Sequence, residues 1–304
     1  MCVTGLYSIR LRSSESMLKN VLKILGPKGR HWVGNGFPVR QMFGYNDLGR
    51  ELSPFLLLDY AGPHEFPASE EPRGVGAHPH RGFETVTIMY SGEVQHRDSM
   101  GRQGIIGPGD VQWMTAASGV LHEEMHSPNF SRRGGLFEVV QLWVNLPAKD
   151  KMIAPAYQSL LSADIPQAML ADGAGFLRVI AGTSAGLHGP AKVHSPVNLW
   201  DIRLEAGHSG ELEVPSGHTA ALFCLSGSVN IGADKTLQSA EIAVLEREGT
   251  RIKISAQETA KLLYLGGKPL EEPIWGMGPF VMATKTDLEK AYEDYEAGRF
   301  GAFD

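Results

Sequence analysis

The 304-residue chain has only two cysteines, Cys2 and Cys224. One of them lies at the N-terminus, so a disulfide framework is not expected, and a reducing compartment, the cytoplasm, is expected. There is no apolar run of about 18 residues, and charges interrupt the first 30 residues, which argues against a membrane span or a secretory signal. Basic residues are not in excess either, since 28 Lys and Arg stand against 34 Asp and Glu. Without a basic surplus, direct binding to nucleic acid is not expected.

Residues 1–26 are predicted to be an N-terminal extension that can be disordered. Its first part, Met1–Ser16, contains two arginines and several serines and has little hydrophobic periodicity. A transit peptide is one interpretation, but Glu15 and the small number of arginines do not favour it. A disordered leader, or a true start at Met17, fits the same segment.

Helical patterns are scarce, and short β-branched or aromatic runs lie between turn signals. Examples are "FETVTIMY", "VVQLWVNL", "HTAALFCL" and "KLLYLGG" in a chain with 36 glycines and 18 prolines. This spacing is typical of an all-β sandwich or barrel.

One amphipathic helix is predicted at the C-terminus. Thr286–Glu289 matches a capping box, and Gly298 stands where a glycine often ends a helix. Between them apolar residues recur at helical spacing, at Leu288, Ala291, Tyr292 and Tyr295.

A weak internal repeat indicates two copies of one β-barrel domain. Phe83–Ser99 aligns with His218–Asp234, and further along Gly119 falls opposite Gly249. The predicted domains are residues 27–147 and residues 148–304.

The second copy lacks the polar residues of the first, so a metal site in the first half would have no counterpart in the second. In this alignment the pairs are His78 with Glu213, His80 with Pro215, Glu84 with Thr219, His122 with Ile252 and Glu124 with Ile254.

Two short polar patterns in the first half predict that metal site. One residue separates His78 from His80, and one residue separates His122 from Glu124. Alternate residues of a strand face the same side, and Glu84 would join the two histidines if one strand ran through all three. A lone histidine is more often a hydrogen-bonded core or surface residue. Nothing in barrel stability, however, calls for several ionisable groups in the lumen. Three imidazoles and a carboxylate can surround one ion.

The identity of the metal follows less directly. No cysteine is near these residues, which excludes thiolate-rich zinc and iron–sulfur sites. Imidazole and carboxylate ligands suit Fe(II), Mn, Co, Ni, Cu or Zn, and the residues alone do not choose among them.

Several longer motifs stand out along the chain from about Trp32 onward. They are "FPVR" (Phe37–Arg40), "SPFLLLDYAGP" (Ser53–Pro63), "HPHRGFETVT" (His78–Thr87), "GPGDVQWMTAASGVLHEE" (Gly107–Glu124), "VQLWVNLP" (Val140–Pro147) and "GPFVM" (Gly278–Met282). By these motifs the chain resembles the pirin family of the cupin superfamily. His78, His80 and Glu84 match the cupin signature His-x-His-x-x-x-Glu, and Gly119 with His122 matches Gly-x-x-His.

Two positions depart from the general cupin pattern, since Ala117 replaces a proline and His126 replaces an asparagine. The resemblance implies an all-β bicupin of two β-barrel domains with a divalent metal, iron, bound only in the N-terminal barrel. The implied ligands are His78, His80, His122 and Glu124. Glu84 would then orient a ligand imidazole through its free nitrogen, with a solvated carboxylate at a strand end as the alternative.

The resemblance also implies quercetinase activity, in which dioxygen opens the central ring of a flavonol and carbon monoxide is released. Glu124 is the candidate base for the flavonol 3-hydroxyl. Trp113, Met114 and Phe83 could wall the pocket, although such residues on barrel strands are more often core. The alternative is a non-enzymatic regulator, dependent on metal and redox state, that binds a transcription factor or a metabolic enzyme.

Overall fold

The secondary structure of the protein is mostly β-strand, as the sequence predicts. The computed structural model describes residues 17–303, so most of the predicted leader lies outside the described residues. In chain order the strands are β1 (Val21–Leu25), β2 (Arg30–Val33), β3 (Phe37–Phe43), β4 (Phe55–Phe66), β5 (Gly74–His80), β6 (Phe83–Ser91), β7 (Val94–Asp98), β8 (Gln103–Ile106), β9 (Val111–Thr115), β10 (Val120–His126), β11 (Gly135–Asn145), β12 (Ala156–Leu160), β13 (Gln167–Met169), β14 (Gly175–Ala181), β15 (Thr183–Ser184), β16 (Leu187–His188), β17 (Val197–Leu204), β18 (Ser209–Glu213), β19 (Thr219–Ile231), β20 (Lys235–Gln238), β21 (Glu241–Leu245), β22 (Arg251–Gly267), β23 (Trp275–Met277) and β24 (Phe280–Met282).

The first barrel consists of two facing antiparallel sheets. One sheet has seven strands in the order β12-β9-β6-β11-β4-β3-β2, and the other has four in the order β5-β10-β7-β8. Alternation along β6 separates two environments. Thr87 faces the four-stranded sheet, where its hydroxyl donates to Glu124, whereas Val86 and Ile88 pack in a core shared with the second barrel. The lumen and the outer face of this sheet therefore have different chemistry.

The second barrel is formed by one nine-stranded antiparallel sheet. Its sheet has the order β1-β21-β19-β22-β17-β14-β13, with β18 added on β22 and β20 on β19. Strand β19 lies between β21 and β22 as β6 lies between β9 and β11, which matches the repeat seen in the sequence. The all-β architecture of two barrels is confirmed.

Each barrel contains a strand from beyond the predicted domain limits. Strand β1 pairs with β21 of the second barrel, so residues 17–26 are not a separate disordered extension. Strand β12 pairs with β9 of the first barrel, although it follows the predicted boundary at residue 147. The domain limits 27–147 and 148–304 remain a prediction. Strands β1 and β12 each pair with a barrel on the other side of these limits.

The largest apolar core lies between the barrels. Val86 and Trp113 of the first barrel belong to the same buried cluster as Leu199, Phe223 and Leu263 of the second. Because both sheets bury their facing sides in this cluster, the barrels form one packed unit.

Helices are few. The α-helices are α1 (Pro128–Arg133) and α2 (Lys285–Glu296), and single-turn 3-10 helices lie at Ala148–Asp150, Ser162–Asp164 and Ala171–Gly173. Among residues 17–303 no helix has the length and apolar character needed to cross a bilayer.

Helix α2 confirms the predicted C-terminal helix but begins earlier than expected. Its N-cap is Thr284 and not Thr286, because the Thr284 hydroxyl accepts a hydrogen bond from the backbone N–H three residues later. The helix buries Leu288 and Ala291. It ends before Gly298, which has a φ of 71° as the prediction of a C′ glycine requires.

Candidate metal centre

Three histidines of the four-stranded sheet converge inside the first barrel. His78 and His80 lie on β5, and His122 lies directly opposite His78 on the neighbouring strand β10. One ring nitrogen from each histidine can be chosen so that all three lie within 4.8 Å of one another. This spacing allows one ion to contact all three imidazoles.

Each of these histidines has a ring nitrogen whose lone pair is available to a metal ion. Nδ1 of His78 lies 2.8 Å from the carbonyl oxygen of Gly76, so its proton is placed there and Nε2 carries the lone pair. Nε2 of His122 and both ring nitrogens of His80 are buried without a hydrogen-bond partner. Buried nitrogens without partners are costly, and a coordinated ion would remove that cost for one nitrogen of each ring.

Burial also keeps two of the imidazoles neutral. Desolvation, followed by the neighbouring His78, holds the pKa of His80 well below its usual range. Desolvation and the histidines around it lower the pKa of His122 in the same way. Neutral imidazole is the form that binds a metal.

A fourth histidine, His96 on β7, sets the orientation of His122. It is fully buried, and its Nδ1 lies 3.4 Å from Nδ1 of His122 and 3.0 Å from the side-chain nitrogen of Gln112. Since the Gln112 amide donates to this atom, His96 carries its proton on Nε2, which lies 3.6 Å from Asp98. Nδ1 of His122 donates to the same lone pair in a longer, shared hydrogen bond, and its Nε2 lone pair faces the site.

His96 was not predicted from the sequence as a site residue. The pattern His96-x-Asp98 is of the same kind as His122-x-Glu124 and was the available signal. Its role depends on the pairing of β7 with β10, which only the fold reveals.

Glu124 lies in the same lumen, and protein donors hold its carboxylate. Oε1 accepts a hydrogen bond of 3.0 Å from the Thr87 hydroxyl, and Oε2 accepts one of 2.8 Å from the side-chain amide of Gln141. The group of atoms within 4.8 Å of one another contains the three histidines and does not include Glu124. Its assignment as a fourth ligand stays a prediction.

Glu84 lies on a different strand from His78 and His80, and the orienting role expected of it stays a prediction. Strand β5 ends at His80 and β6 begins at Phe83, so no single strand runs through His78, His80 and Glu84. At the turn between them Gly82 has a φ of 88°, and the alternation of side chains is interrupted.

Glu84 therefore lies on the opposite side of the sheet, toward the second barrel. Its cross-strand neighbours are Thr115 and Val144, and the Thr115 hydroxyl donates to its Oε1 at 2.7 Å. Nε2 of His194 lies 3.9 Å from the same oxygen. Burial raises the pKa of Glu84 to about 7.

A cavity of about 400 Å³ adjoins the histidines and has mostly apolar walls. Phe37, Leu57, Val139 and Trp143 line it together with His78 and His80, while Thr87 and Glu124 add polar groups. Cavities of this size and character bind small organic ligands.

The three residues expected as possible walls of the pocket do not line this cavity. Trp113 packs in the core between the barrels, and Met114 packs beside Val120. Phe83 stacks behind Trp143 with ring centroids 4.3 Å apart, so Trp143 is the residue that faces the cavity.

Comparison with known proteins identifies the family. Residues 36–144 match the family model Pirin, and residues 199–301 match the Pirin C-terminal cupin domain. A Pseudomonas aeruginosa protein named "Putative quercetin 2,3-dioxygenase" is 56% identical over 93% of this chain and 99% of its own length. The chain belongs to the pirin family.

Other pirins and a solved structure extend this result. Human pirin is 36% identical over 88% of this chain and 89% of its own. The crystal structure of quercetin 2,3-dioxygenase from Acinetobacter baumannii is 51% identical, with a TM-score of 0.92, over 94% of this chain and 99% of that chain. The bicupin fold of pirins is thereby established for this chain.

In the second barrel of this pirin, aliphatic side chains occupy the equivalent positions. Leu212 lies directly opposite Ile252, and both are buried with Ile254 in one cluster. The strand pairing corrects the alignment by one residue, because Leu212 and not Glu213 corresponds to His78. Among the described residues, the three-histidine group of the first barrel is the one set with metal-ligand spacing.

His126, which departs from the cupin pattern, does not join the site. Its Nε2 lies 2.9 Å from the carbonyl oxygen of Gly36, and its ring packs against Phe66 and Phe137. Burial lowers the pKa of His126 to about 4, so it is neutral near pH 7. It is a core histidine.

Proposed function

We propose that this pirin is a metal-dependent dioxygenase that opens the central ring of a flavonol such as quercetin with release of carbon monoxide. The proposed ion is Fe(II), held by His78, His80, His122 and Glu124. The observation that carries the proposal is the three-histidine group, whose buried free nitrogens adjoin a mostly apolar cavity of about 400 Å³.

The cavity suits a flat aromatic substrate. Trp143 presents an indole ring that Phe83 stacks against from behind, and Phe37 and Leu57 add further apolar surface. Planar rings bury well against such walls, and water is displaced as they do so.

The chemistry divides between the ion and the protein. A divalent ion would supply the positive charge that acidifies the flavonol 3-hydroxyl and the electron chemistry that dioxygen requires. Glu124 would accept the hydroxyl proton, since each of its oxygens keeps a lone pair beyond its bond to Thr87 or Gln141. Those two donors fix the direction of the carboxylate before the substrate binds.

Metal content of purified variants tests the ligand assignment. We expect His122→Ala to lose the metal and Glu124→Gln to hold it much more weakly, because each change removes a donor group. Glu84→Gln should stay fully loaded, since Glu84 faces the other side of the sheet. A loaded Glu124→Gln and an empty Glu84→Gln would reverse the assignment.

Turnover tests the reaction. Protein reconstituted with Fe(II) under nitrogen is mixed with quercetin and air, and the loss of flavonol absorbance is followed together with carbon monoxide. We expect both signals from the wild-type protein and neither above background from His122→Ala. If the wild type does no better than this control, the regulatory function with a protein partner becomes the preferred proposal.

A further inference from the structure

A row of polar residues crosses the lumen side of the seven-stranded sheet. Each member lies directly opposite the next on the neighbouring strand, so their side chains share one face. From the outer strand inward the row is Gln41 on β3, Asp59 on β4, Gln141 on β11, Thr87 on β6 and Gln112 on β9. The row forms because strands that are far apart in the sequence pair in this register.

Protein groups use most members of the row. Gln112 donates to His96, and both Thr87 and Gln141 donate to Glu124. The side-chain oxygen of Gln41 accepts a hydrogen bond from Lys28. The inner part of the row therefore belongs to the metal centre.

Asp59 keeps a free acceptor that faces the cavity, because Gln41 is a hydrogen-bond partner of its carboxyl group but its Oδ1 is buried without one. It lines the cavity among the apolar side chains of Val39, Leu57 and Ala61. Burial raises the pKa of Asp59 to about 6, and His31 and Gln41 offset only part of that effect. A carboxyl group in an apolar wall with an unused oxygen is suited to a ligand that brings a hydrogen-bond donor.

We propose that Asp59 binds a phenolic hydroxyl on a part of the substrate that does not react, and so selects polyhydroxylated aromatic molecules. This inference rests on the proposed function, because it names the second polar contact of the same cavity. Strands lie about 4.8 Å apart, so Asp59 is about one strand spacing beyond Gln141, which contacts Glu124. When a flavonol places its 3-hydroxyl at Glu124, its outer rings extend far enough for one of their hydroxyls to contact Asp59.

A binding cycle tests the proposal. Protein reconstituted with Fe(II) is kept under nitrogen, and dissociation constants are measured by tryptophan fluorescence for three flavonols. The first carries hydroxyls on both outer ring systems, the second lacks those of the fused ring, and the third lacks those of the phenyl ring. We expect one of the two deletions to weaken binding to wild type by about tenfold, or about 1.4 kcal/mol.

The variants locate that effect. In Asp59→Leu, which has a similar volume, the sensitive deletion should change the dissociation constant by less than about twofold. In Asp59→Asn the sensitive deletion should change the dissociation constant by about threefold, because neutral hydrogen bonds are about half as strong as charge-assisted ones. The Asn variant also serves if the Leu variant does not fold. Asp234→Leu is the matched control, since Asp234 is highly exposed in the second barrel, and it should behave as wild type.

The outcomes separate this inference from the proposed function. Equal deletion effects in wild type, Asp59→Asn and Asp59→Leu, or no effect of either deletion in wild type, would overturn the role of Asp59 even if quercetin is turned over. Loss of the effect in the Asp59 variants supports the role even if no turnover occurs. Where turnover is measured, Asp59→Leu should raise KM with kcat nearly unchanged, as expected for a contact to a ring that does not react.

Discussion

The buried carboxyl group of Glu84 should make the stability of this protein decrease between about pH 4.5 and pH 7. Glu84 is 1% exposed and lies beneath the second barrel, with the Thr115 hydroxyl as its hydrogen-bond donor. Burial raises its pKa to about 7 from the value of 4.5 expected in an unfolded chain. The folded protein therefore holds the proton more tightly than the unfolded chain does.

The sign and the size follow from this difference. Below about pH 4.5 both states are protonated and the contribution of Glu84 is fully present. As the pH rises through 7 the folded state must bury a carboxylate, and the contribution is lost. Each pKa unit corresponds to about 1.4 kcal/mol, so the change from 4.5 to about 7 amounts to about 3 kcal/mol.

Glu84→Gln removes the charge and keeps the shape of the side chain. Free energies of unfolding are measured by urea titration at pH 5 and pH 8 on metal-free protein, with tryptophan fluorescence as the signal. Going from pH 5 to pH 8, the wild type should lose about 2.5 kcal/mol relative to Glu84→Gln, since a small part of the effect is already lost at pH 5. Glu70→Gln, at an exposed position, is the control and should follow the wild type. Parallel pH dependence in wild type and Glu84→Gln would refute the reasoning.

Three further changes test the site and its support. His96→Leu should weaken metal affinity about 10- to 100-fold without removing a ligand, as equilibrium dialysis against a chelator would show, because His122 loses its orienting partner. Gly82→Ala should lower the free energy of unfolding in urea by about 3 kcal/mol, since a Cβ there would lie 2.0 Å from the Val281 carbonyl oxygen. Gly76 has open space around it, so the control Gly76→Ala should lower it by less than about 1 kcal/mol. Phe223→Ala should lower stability by about 3–5 kcal/mol through a cavity between the barrels while metal content measured by mass spectrometry stays unchanged.

Local patterns explain what could be predicted from the sequence. Alternating strands, the repeat and the couplets His78-x-His80 and His122-x-Glu124 depend on residues close in the chain, and the structure brings the three histidines together. The expectation that Glu84 faces the same side as His78 and His80 required one continuous strand, and the structure has two. A turn of two residues after His80 was enough to change the side on which Glu84 lies.

Contacts that depend on strand register could not be predicted. His96 meets His122 because β7 pairs with β10, and Asp59 meets Gln141 because β4 pairs with β11. Each pairing joins segments separated by many residues, and no local periodicity specifies which strands become neighbours. For the same reason the sequence did not predict that β1 joins the second barrel and β12 joins the first.

The second barrel has aliphatic side chains where the first has its three histidines, yet the chain beyond it supports the first barrel. The chain returns from the second barrel so that Gly278 and Pro279 line the cavity beside the histidines. Helix α2 supplies Asp294, whose carboxylate forms a buried ion pair of 2.7 Å with Arg81, the residue that follows His80. Removing one partner of a buried ion pair leaves an uncompensated charge, so this contact fixes the end of β5 firmly. The segment that follows the second barrel thus holds the end of the ligand strand and closes the cavity wall.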